Sequence, residues 1–375
     1  TSLLALLGEG LICSAQDTNT MIVDWGDDTF DQLHLSFQDI HVTAISTGYE
    51  HTLAIIDSVE VIAWGDNSYG QTTVPSGIIA PIKVSAGLGH SVVLQADGTV
   101  VAWGFNDFGQ TEVSSFSDII DIGAGDEHTL LLKSDKTVIL VGAGTRYDLS
   151  PPAGLVNVEK VAVGNFHNLA LKSDQTVVAW GANEFGQSTV PGSIANVQDI
   201  GAGQFHSLVL NIDGTVSGWG DNTLFDQLDI PAMGFVDEIS VGDYHNLART
   251  GPSTLVAWGS NRFAEGLIPA VLDGRTISYF TAGFAHNTVI VENNRPTSIN
   301  IADTIYVSEN EREPTELSQL LTEDPDMVDT HIYELVSGEG DDDNGQFDIF
   351  SFIQKSPISD DLIWTDDYGT YLLRA

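Results

Sequence analysis

Seven histidines and a carboxylate-rich tail are the residues of this chain with chemistry to offer. His51, His90, His128, His167, His206, His245 and His286 each end a Gly-x-x-His motif. An imidazole serves as metal ligand, general base or buried hydrogen-bonding group according to what it meets. One histidine per repeat spaces them around a circumference, whereas metal binding requires convergence. They are therefore read as buried turn residues that hydrogen-bond backbone groups, with a ring of metal-binding imidazoles as the alternative. The second set is acidic: residues 296–375 hold 19 Asp and Glu against 3 Lys and Arg, while residues 1–295 hold 34 against 10. Oxygen ligands crowded into loops suit calcium, a hard cation that takes about six to eight of them. Cys13 is the only cysteine, which excludes an intramolecular disulfide and a thiolate zinc site. The chain has no Gly-rich phosphate loop, GxSxG or HExxH, and it is read as a binding protein and not an enzyme. A glycosidase pair among the scattered carboxylates stays open, because a single sequence does not show two of them converging.

The elements that position these residues follow from a repeat. Trp-Gly recurs at Trp25, Trp64, Trp103, Trp180, Trp219 and Trp258, with Val141-Gly142 filling the one gap, at a spacing of 38 or 39. Each histidine lies 13 residues before such a position wherever one follows. Short β-branched runs between Gly pairs and Asp-Gly turns read as strands joined by hairpins. A unit of this size cannot cover its own apolar face, so the units stack around an axis as an all-β, seven-bladed propeller. The indoles are expected between neighbouring sheets. The last unit stops after AGFAHNTVIVE without a Trp-Gly strand, so residues 20–26, TMIVDWG, are expected to complete that blade. In the odd unit, TVILVGAGTRYDLSPPAG, Val141 replaces Trp and the Asn-x-x-Gly-Gln turn is lost. Normal strands with a rebuilt outer loop are expected there. The opening TSLLALLGEG lacks a basic region and reads as a strand, and the chain as a fragment of something longer.

A net charge of -40 repels phosphate backbones and anionic lipid, so neither nucleic acid nor a membrane surface is the expected partner. No apolar stretch approaches the length of about 18 residues that membrane insertion needs.

VIAWGDNSYGQTTVPSG (61–77), VVAWGFNDFGQTEV (100–113) and VVAWGANEFGQSTVPGS (177–193) resemble regulator-of-chromosome-condensation repeats. The AWGxNxxGQxxVP form is most similar to the bacterial branch that includes propeller-type β-lactamase inhibitor proteins. The resemblance covers residues 5–292 and implies a fold, not a function, since such propellers serve as exchange factors, inhibitors and adhesin modules. No insertion corresponds to an exchange factor's nucleotide-displacing wedge. In the inhibitors, the loop inside Gly-x-x-His lies on the face that grips the target. The matching aromatic positions are Tyr49, Phe166, Phe205, Tyr244 and Phe284, set among Glu50, Glu127 and Asp243. They imply a cationic protein or a carbohydrate partner, and they should be substantially exposed. The plainer alternative packs the rings on the neighbouring blade.

From residue 293 the chain is similar to the cadherin-like repeats of bacterial surface proteins, through its Asn-rich linker, early Glu, DPD pair and GDDDN turn. That resemblance implies a calcium-type β-sandwich over 293–375 behind a propeller at 1–292. Carried over by position, Glu309 matches the base glutamate, Asp324 and Asp326 the paired aspartates, and Asn294 the linker ligand ahead of Pro296. Asp366 or Asp367 stands for the later acid, while Gly369 occupies the place of a further carboxylate. Solvated loop acids are the alternative. Together the two resemblances imply an extracellular or cell-surface bacterial protein, part of a longer parent chain, with the propeller as adhesion platform and the sandwich as stalk. A soluble inhibitor of an enzyme such as a β-lactamase is the competing reading.

Overall fold

The computed structural model describes residues 20–33, 41–142 and 146–292, with the short segments 298–301, 320–323, 361–366 and 369–374. Two compact units result, and Thr18–Glu292 forms the larger. It holds seven three-stranded antiparallel sheets. In chain order, blades 1 to 6 span residues 42–65, 81–104, 119–142, 158–181, 197–220 and 238–259. Blade 7 takes Ile277–Ala282 and His286–Glu292, and its third strand is the N-terminal Thr20–Gly26. That strand pairs along its whole length with His286–Glu292, from Thr20 opposite Glu292 to Gly26 opposite His286, and so closes the ring as the missing Trp-Gly strand requires. The odd unit also forms normally: Val138–Gly142 pairs with His128–Lys133 and Val141 is buried. The one helix among the described residues is a 3-10 turn at Ala270–Leu272.

The apolar core lies between blades. Leu130 and Leu132 of blade 3 pack with Val158, Val161 and Trp180 of blade 4, while Leu169 and Leu171 of blade 4 pack with Ile200 and Trp219 of blade 5. Ile22 and Ile290 of blade 7 meet Val42, Ala54 and Trp64 of blade 1 in the closing seam. A three-stranded sheet is apolar on both faces here, so stacking is obligatory for stability.

The histidines stitch the same seams, with partners other than those expected. All seven are fully buried. Each Nε2 meets the side chain that follows the motif histidine in the next blade, and not a backbone group. The pairs are His51 with Ser91, His90 with Thr129, His128 with Asn168, His167 with Ser207, His206 with Asn246, His245 with Asn287 and His286 with Thr52, at 2.7–3.1 Å. The last of these joins blade 7 to blade 1. In five seams the partner then donates to a loop carbonyl of the histidine's own blade, as Ser91 Oγ does to Gln71 O at 2.8 Å and Asn246 Nδ2 to Gln227 O at 3.0 Å. A hydroxyl or amide that donates onward accepts from the imidazole, so Nε2 carries the proton. Among the described residues no cluster of acids, cysteines and histidines is arranged to hold a metal.

Trp indoles finish six of the seven seams. Trp103 Nε1 also donates to Gln71 O, at 2.8 Å, and Trp219 and Trp258 reach Gln187 O and Gln227 O in the same way. After blade 3 the Gln is missing, and Leu149 O takes its place under Trp180 Nε1 at 2.8 Å. Such close approach leaves no room at the first motif position. A Cβ on Gly87 would lie 2.3 Å from Gly125 O and 2.7 Å from the His90 ring.

The second unit is described through two antiparallel pairs, Ser298–Ile301 with Leu320–Glu323 and Asp361–Asp366 with Gly369–Arg374. The cadherin-like sandwich and the calcium ligands Asn294, Glu309, Asp324, Asp326 and Asp367 lie outside the described residues. Asp366 is placed only as the last residue of a strand.

Burial holds the seam imidazoles neutral. The pKa falls to about 4 for His51, His128 and His206, and to about 3 for His90, His167 and His286, while His245 is lowered too. An unfolded histidine takes up a proton near pH 6.5, so the unfolded chain binds more protons below that pH and stability is lost as pH falls from about 6.5 toward 4. Five carboxyls act in the opposite sense: Asp24 and Glu50, raised to about 7, Asp243, raised to about 6, and Asp126 and Glu238, also raised. Seven groups outweigh five. The urea midpoint of the propeller is therefore expected to be lower at pH 5 than at pH 7, and an equal or higher midpoint would refute a neutral seam. Gly87→Ala should cost more than about 2 kcal/mol by the same measurement. Gly192→Ala, where a Cβ meets nothing within 4 Å, should be near neutral.

Candidate functional site

Two loops from every blade meet at one end of the ring. The Gly-x-x-His loop joins the first strand to the second, and the Asn-x-x-Gly-Gln loop leaves the third. They are tied together by backbone bonds such as Asp66 N to Glu50 O at 2.8 Å and Asp221 N to Phe205 O at 2.9 Å. Gly65, at φ +95°, sits at this junction, where a Cβ would lie 2.4 Å from Glu50 O.

The second loop displays an aromatic ring in every blade. In four blades its Gln is buried and Oε1 accepts the backbone N–H two residues earlier: Gln32 from Phe30 at 2.7 Å, Gln71 from Tyr69 at 2.9 Å, Gln110 from Phe108 at 3.1 Å and Gln187 from Phe185 at 2.9 Å. Glu265 does the same for Phe263 at 2.6 Å. The motif Asn braces the turn from the other side, as Asn67 Oδ1 does by accepting from Thr72 N at 3.0 Å. A polar side chain turned inward thus forces the aromatic outward. Phe225, two residues before Gln227, and Tyr147, two before Leu149, complete an outer ring of seven. Tyr69 is 55% exposed, Phe185 45% and Phe263 42%. The sequence reading missed this ring, although an aromatic two residues before each Gln, or its Leu149 or Glu265 substitute, was there to be seen.

The five aromatics singled out from the sequence form an inner tier. Tyr49, Phe166, Phe205, Tyr244 and Phe284 are all half-buried, neither sunk between blades nor substantially exposed. Tyr49 stacks on Phe284 with centroids 3.9 Å apart, Phe284 meets Tyr244 at 5.8 Å and Tyr244 meets Phe205 at 6.3 Å. Outer rings buttress the inner ones, with Phe185 against Phe205 at 4.8 Å, Phe225 against Tyr244 at 4.6 Å and Tyr147 against Phe166 at 5.4 Å. A belt of six rings runs unbroken from Tyr49 to Phe185 and Phe225. Exposure belongs mainly to the outer tier, because each inner ring has a neighbour on its flank.

The axis opens among these rings in a cavity of about 70 Å3, which has room for a few waters or one side-chain head group. Asp126 and Asp243 line it, and Asn165 Nδ2 donates to Asp243 Oδ2 at 3.0 Å. Burial pushes Asp243 up to about 6, partly offset by the Asn165 bond. Burial first, then the nearby Asp243 and Glu127 charges, drives Asp126 well above the usual carboxylate range. Burial and these two acids, with Glu50, also push Tyr49 up to about 12. The site is therefore aromatic, acidic and rigid, and it is short of cationic charge.

A carboxyl raised from 3.8 to about 6 on folding is destabilising when ionised; the penalty is absent below the unfolded pKa and complete once pH has risen through the folded one. Asp243→Asn is accordingly expected to raise the melting temperature most at pH 8, with a gain that shrinks as pH falls toward 4. A gain independent of pH would show that ionisation of Asp243 is not its cause.

Comparison with known proteins bears on the fold. A model described as the regulator of chromosome condensation (RCC1) repeat matches residues 42–71, 82–110, 158–187 and 197–225. Those are blades 1, 2, 4 and 5; the first three keep both Trp-Gly and Asn-x-x-Gly-Gln, and blade 5 keeps Trp-Gly with the longer Asn222-Thr-Leu-Phe-Asp-Gln227 loop. No curated protein sequence matches the chain. Among solved structures, Prp20p from Saccharomyces cerevisiae, studied for its binding to Gsp1p and histones, superposes with a TM-score of 0.63 at 18% identity over 74% of this chain and 92% of its own. Human WBSCR16 does so with a TM-score of 0.59 at 18% identity over 73% and 99%. The ectodomain of the Physcomitrella patens receptor kinase CR4 gives 0.54 at 22% identity over 63% and 66%. Ring topology and superposition agree that residues Thr18–Glu292 form a seven-bladed β-propeller, four of whose blades match the regulator of chromosome condensation (RCC1) repeat.

Proposed function

We propose that the aromatic face is a platform for a protein partner and that the propeller is the binding module of an extracellular or cell-surface bacterial protein. The two-tier aromatic surface carries this reading. Large rings held by rigid turns offer contact area at little entropic cost, which is why aromatics dominate interface hot spots. Prp20p, with the same fold, binds proteins, which favours the same use of a propeller here. Residues 293–375 are the stalk in this proposal, with Asn294, Glu309, Asp324, Asp326 and Asp366 or Asp367 as calcium ligands. Their carboxylate and amide oxygens suit that hard cation. A non-enzymatic role is part of the proposal: Asp126 and Asp243 line one recess of about 70 Å3, which has no room for a sugar ring between them. The AWGxNxxGQxxVP form favours a second reading, a soluble inhibitor of an enzyme such as a β-lactamase.

Capture of the partner by wild type and variants tests the platform. Phe185→Ala with Phe205→Ala should weaken binding about 30-fold or more, the effect of losing a hot spot of about 2 kcal/mol. Ile82→Ala with Ile120→Ala, which trims exposed side chains at the opposite end of the ring, should change it less than about twofold. The reverse pattern would place binding on the other end. Nanomolar inhibition of a β-lactamase would favour the inhibitor. For the stalk, calorimetric titration of the whole chain should give calcium-binding heat, and EDTA should leave the propeller's melting transition in place. Absence of heat would remove calcium from the proposal.

A further inference from the structure

We propose that the axial recess of the aromatic face receives one arginine or lysine side chain of the partner, inserted at the centre of the contact. The inference deepens the platform reading and rests on it.

The first variable position of Gly-x-x-His lines the axial recess in five blades, and the five residues there are not equivalent. Blades 1 and 2, neighbours around the ring, contribute Tyr49 and Leu88, with Phe284 of blade 7 stacked on Tyr49. Blades 3, 4 and 6 contribute Asp126, Asn165 and Asp243, with Asn165 reaching past blade 5 to bond Asp243. One wall of the mouth is therefore apolar and the facing wall acidic. Tyr49 is close enough to both aspartates for their charges to act on it, so the two walls belong to one small space. No Lys or Arg lines that space.

A metal ion surrounds itself with oxygen ligands, and half of this mouth offers none. An anionic or phosphorylated group would be repelled by the acids. An arginine or lysine side chain matches both halves, with its methylene stem along Leu88, its head group at the carboxylates, and the Tyr49 ring beside the cation. The cavity of about 70 Å3 accepts a head group and not a whole residue, which calls for a side chain presented from a surface. The aromatic belt surrounding the mouth supplies that surface contact and excludes water, and a charge pair desolvated in this way is where specificity is strongest. The excess of acid over base in the chain adds long-range attraction for a basic partner.

The test uses the full chain and a defined probe. N-acetyl-arginine amide is titrated while the Leu88 methyl signals are followed by NMR, with the neutral isostere N-acetyl-citrulline amide as control. Saturable one-to-one shifts are expected with arginine and none with citrulline. Asp126→Asn with Asp243→Asn should weaken the arginine effect at least tenfold. Asp97→Asn with Asp213→Asn removes the same charge from hairpins at the other end of the ring and should change it less than twofold. Equal weakening in both doubles, or no saturable shift at Leu88, would overturn the inference. Because relieving a buried carboxylate should not unfold the ring, melting curves at pH 8 confirm that the axial double is folded. Partner capture that survives the axial double but fails with Phe185→Ala and Phe205→Ala would refute the recess and keep the platform, whereas capture indifferent to the aromatic pair would refute the platform itself.

Discussion

Everything in the propeller depends on how closely one blade can approach the next. The seam is set by a three-member relay in which an imidazole N–H of one blade donates to a hydroxyl or amide of the next, which donates back to a loop carbonyl of the first. That carbonyl also accepts a Trp indole N–H. With the histidine contact in seven seams and the full relay in five, it explains most of the repeat's invariants at once. Gly must precede His by three because a neighbouring carbonyl lies where its Cβ would be. The residue after His must be a small hydrogen-bonding one, and it is always Thr, Ser or Asn. A buried polar group left without a partner is costly, so each member of the relay depends on the others.

Blade 3 shows what partial loss of the set entails. Val141 offers no indole N–H, and the Gln110 carbonyl at the preceding seam is left with Thr129 Oγ1 as its side-chain donor. At the following seam Leu149 O serves Trp180, but the Nδ2 of Asn168 finds no partner. The apolar half of the seam is unaffected, since Val141 packs with Val92, Ile122 and Leu131. Packing volume and hydrogen-bond count are thus separable, and a blade survives the loss of one relay because two sheets still bury their faces between them.

Much of this was legible in the chain and some was not. The period of the Trp-Gly and His marks dictated seven blades, and the missing seventh Trp-Gly demanded an N-terminal closing strand, because a ring leaves no edge unpaired. Burial of the histidines was legible too, but not their partners. A partner about 40 residues away is invisible to local reading, even though Thr52, Ser91, Asn168 and their counterparts mark it in every repeat. The outer aromatic ring was overlooked for a related reason. Gln in a loop looks like a solvated residue, and only the folded turn shows it inside with the aromatic thrown out. The tail's acids have no such repeat from which an arrangement could be argued.

The division of labour inside Gly-x-x-His bears directly on function. The relay uses the Gly, the His and the residue that follows, and it makes no demand on the two positions between. Those positions are therefore free to differ, and they do, from Leu88-Gly89 through Asp126-Glu127 to Asp243-Tyr244. Seven rigid seams hold fourteen such positions within a fixed frame, so a change at one of them alters the face without altering the ring. Chemistry that departs from the sevenfold average, an apolar wall beside an acidic one at the axis, is then information about what docks there and not about what folds.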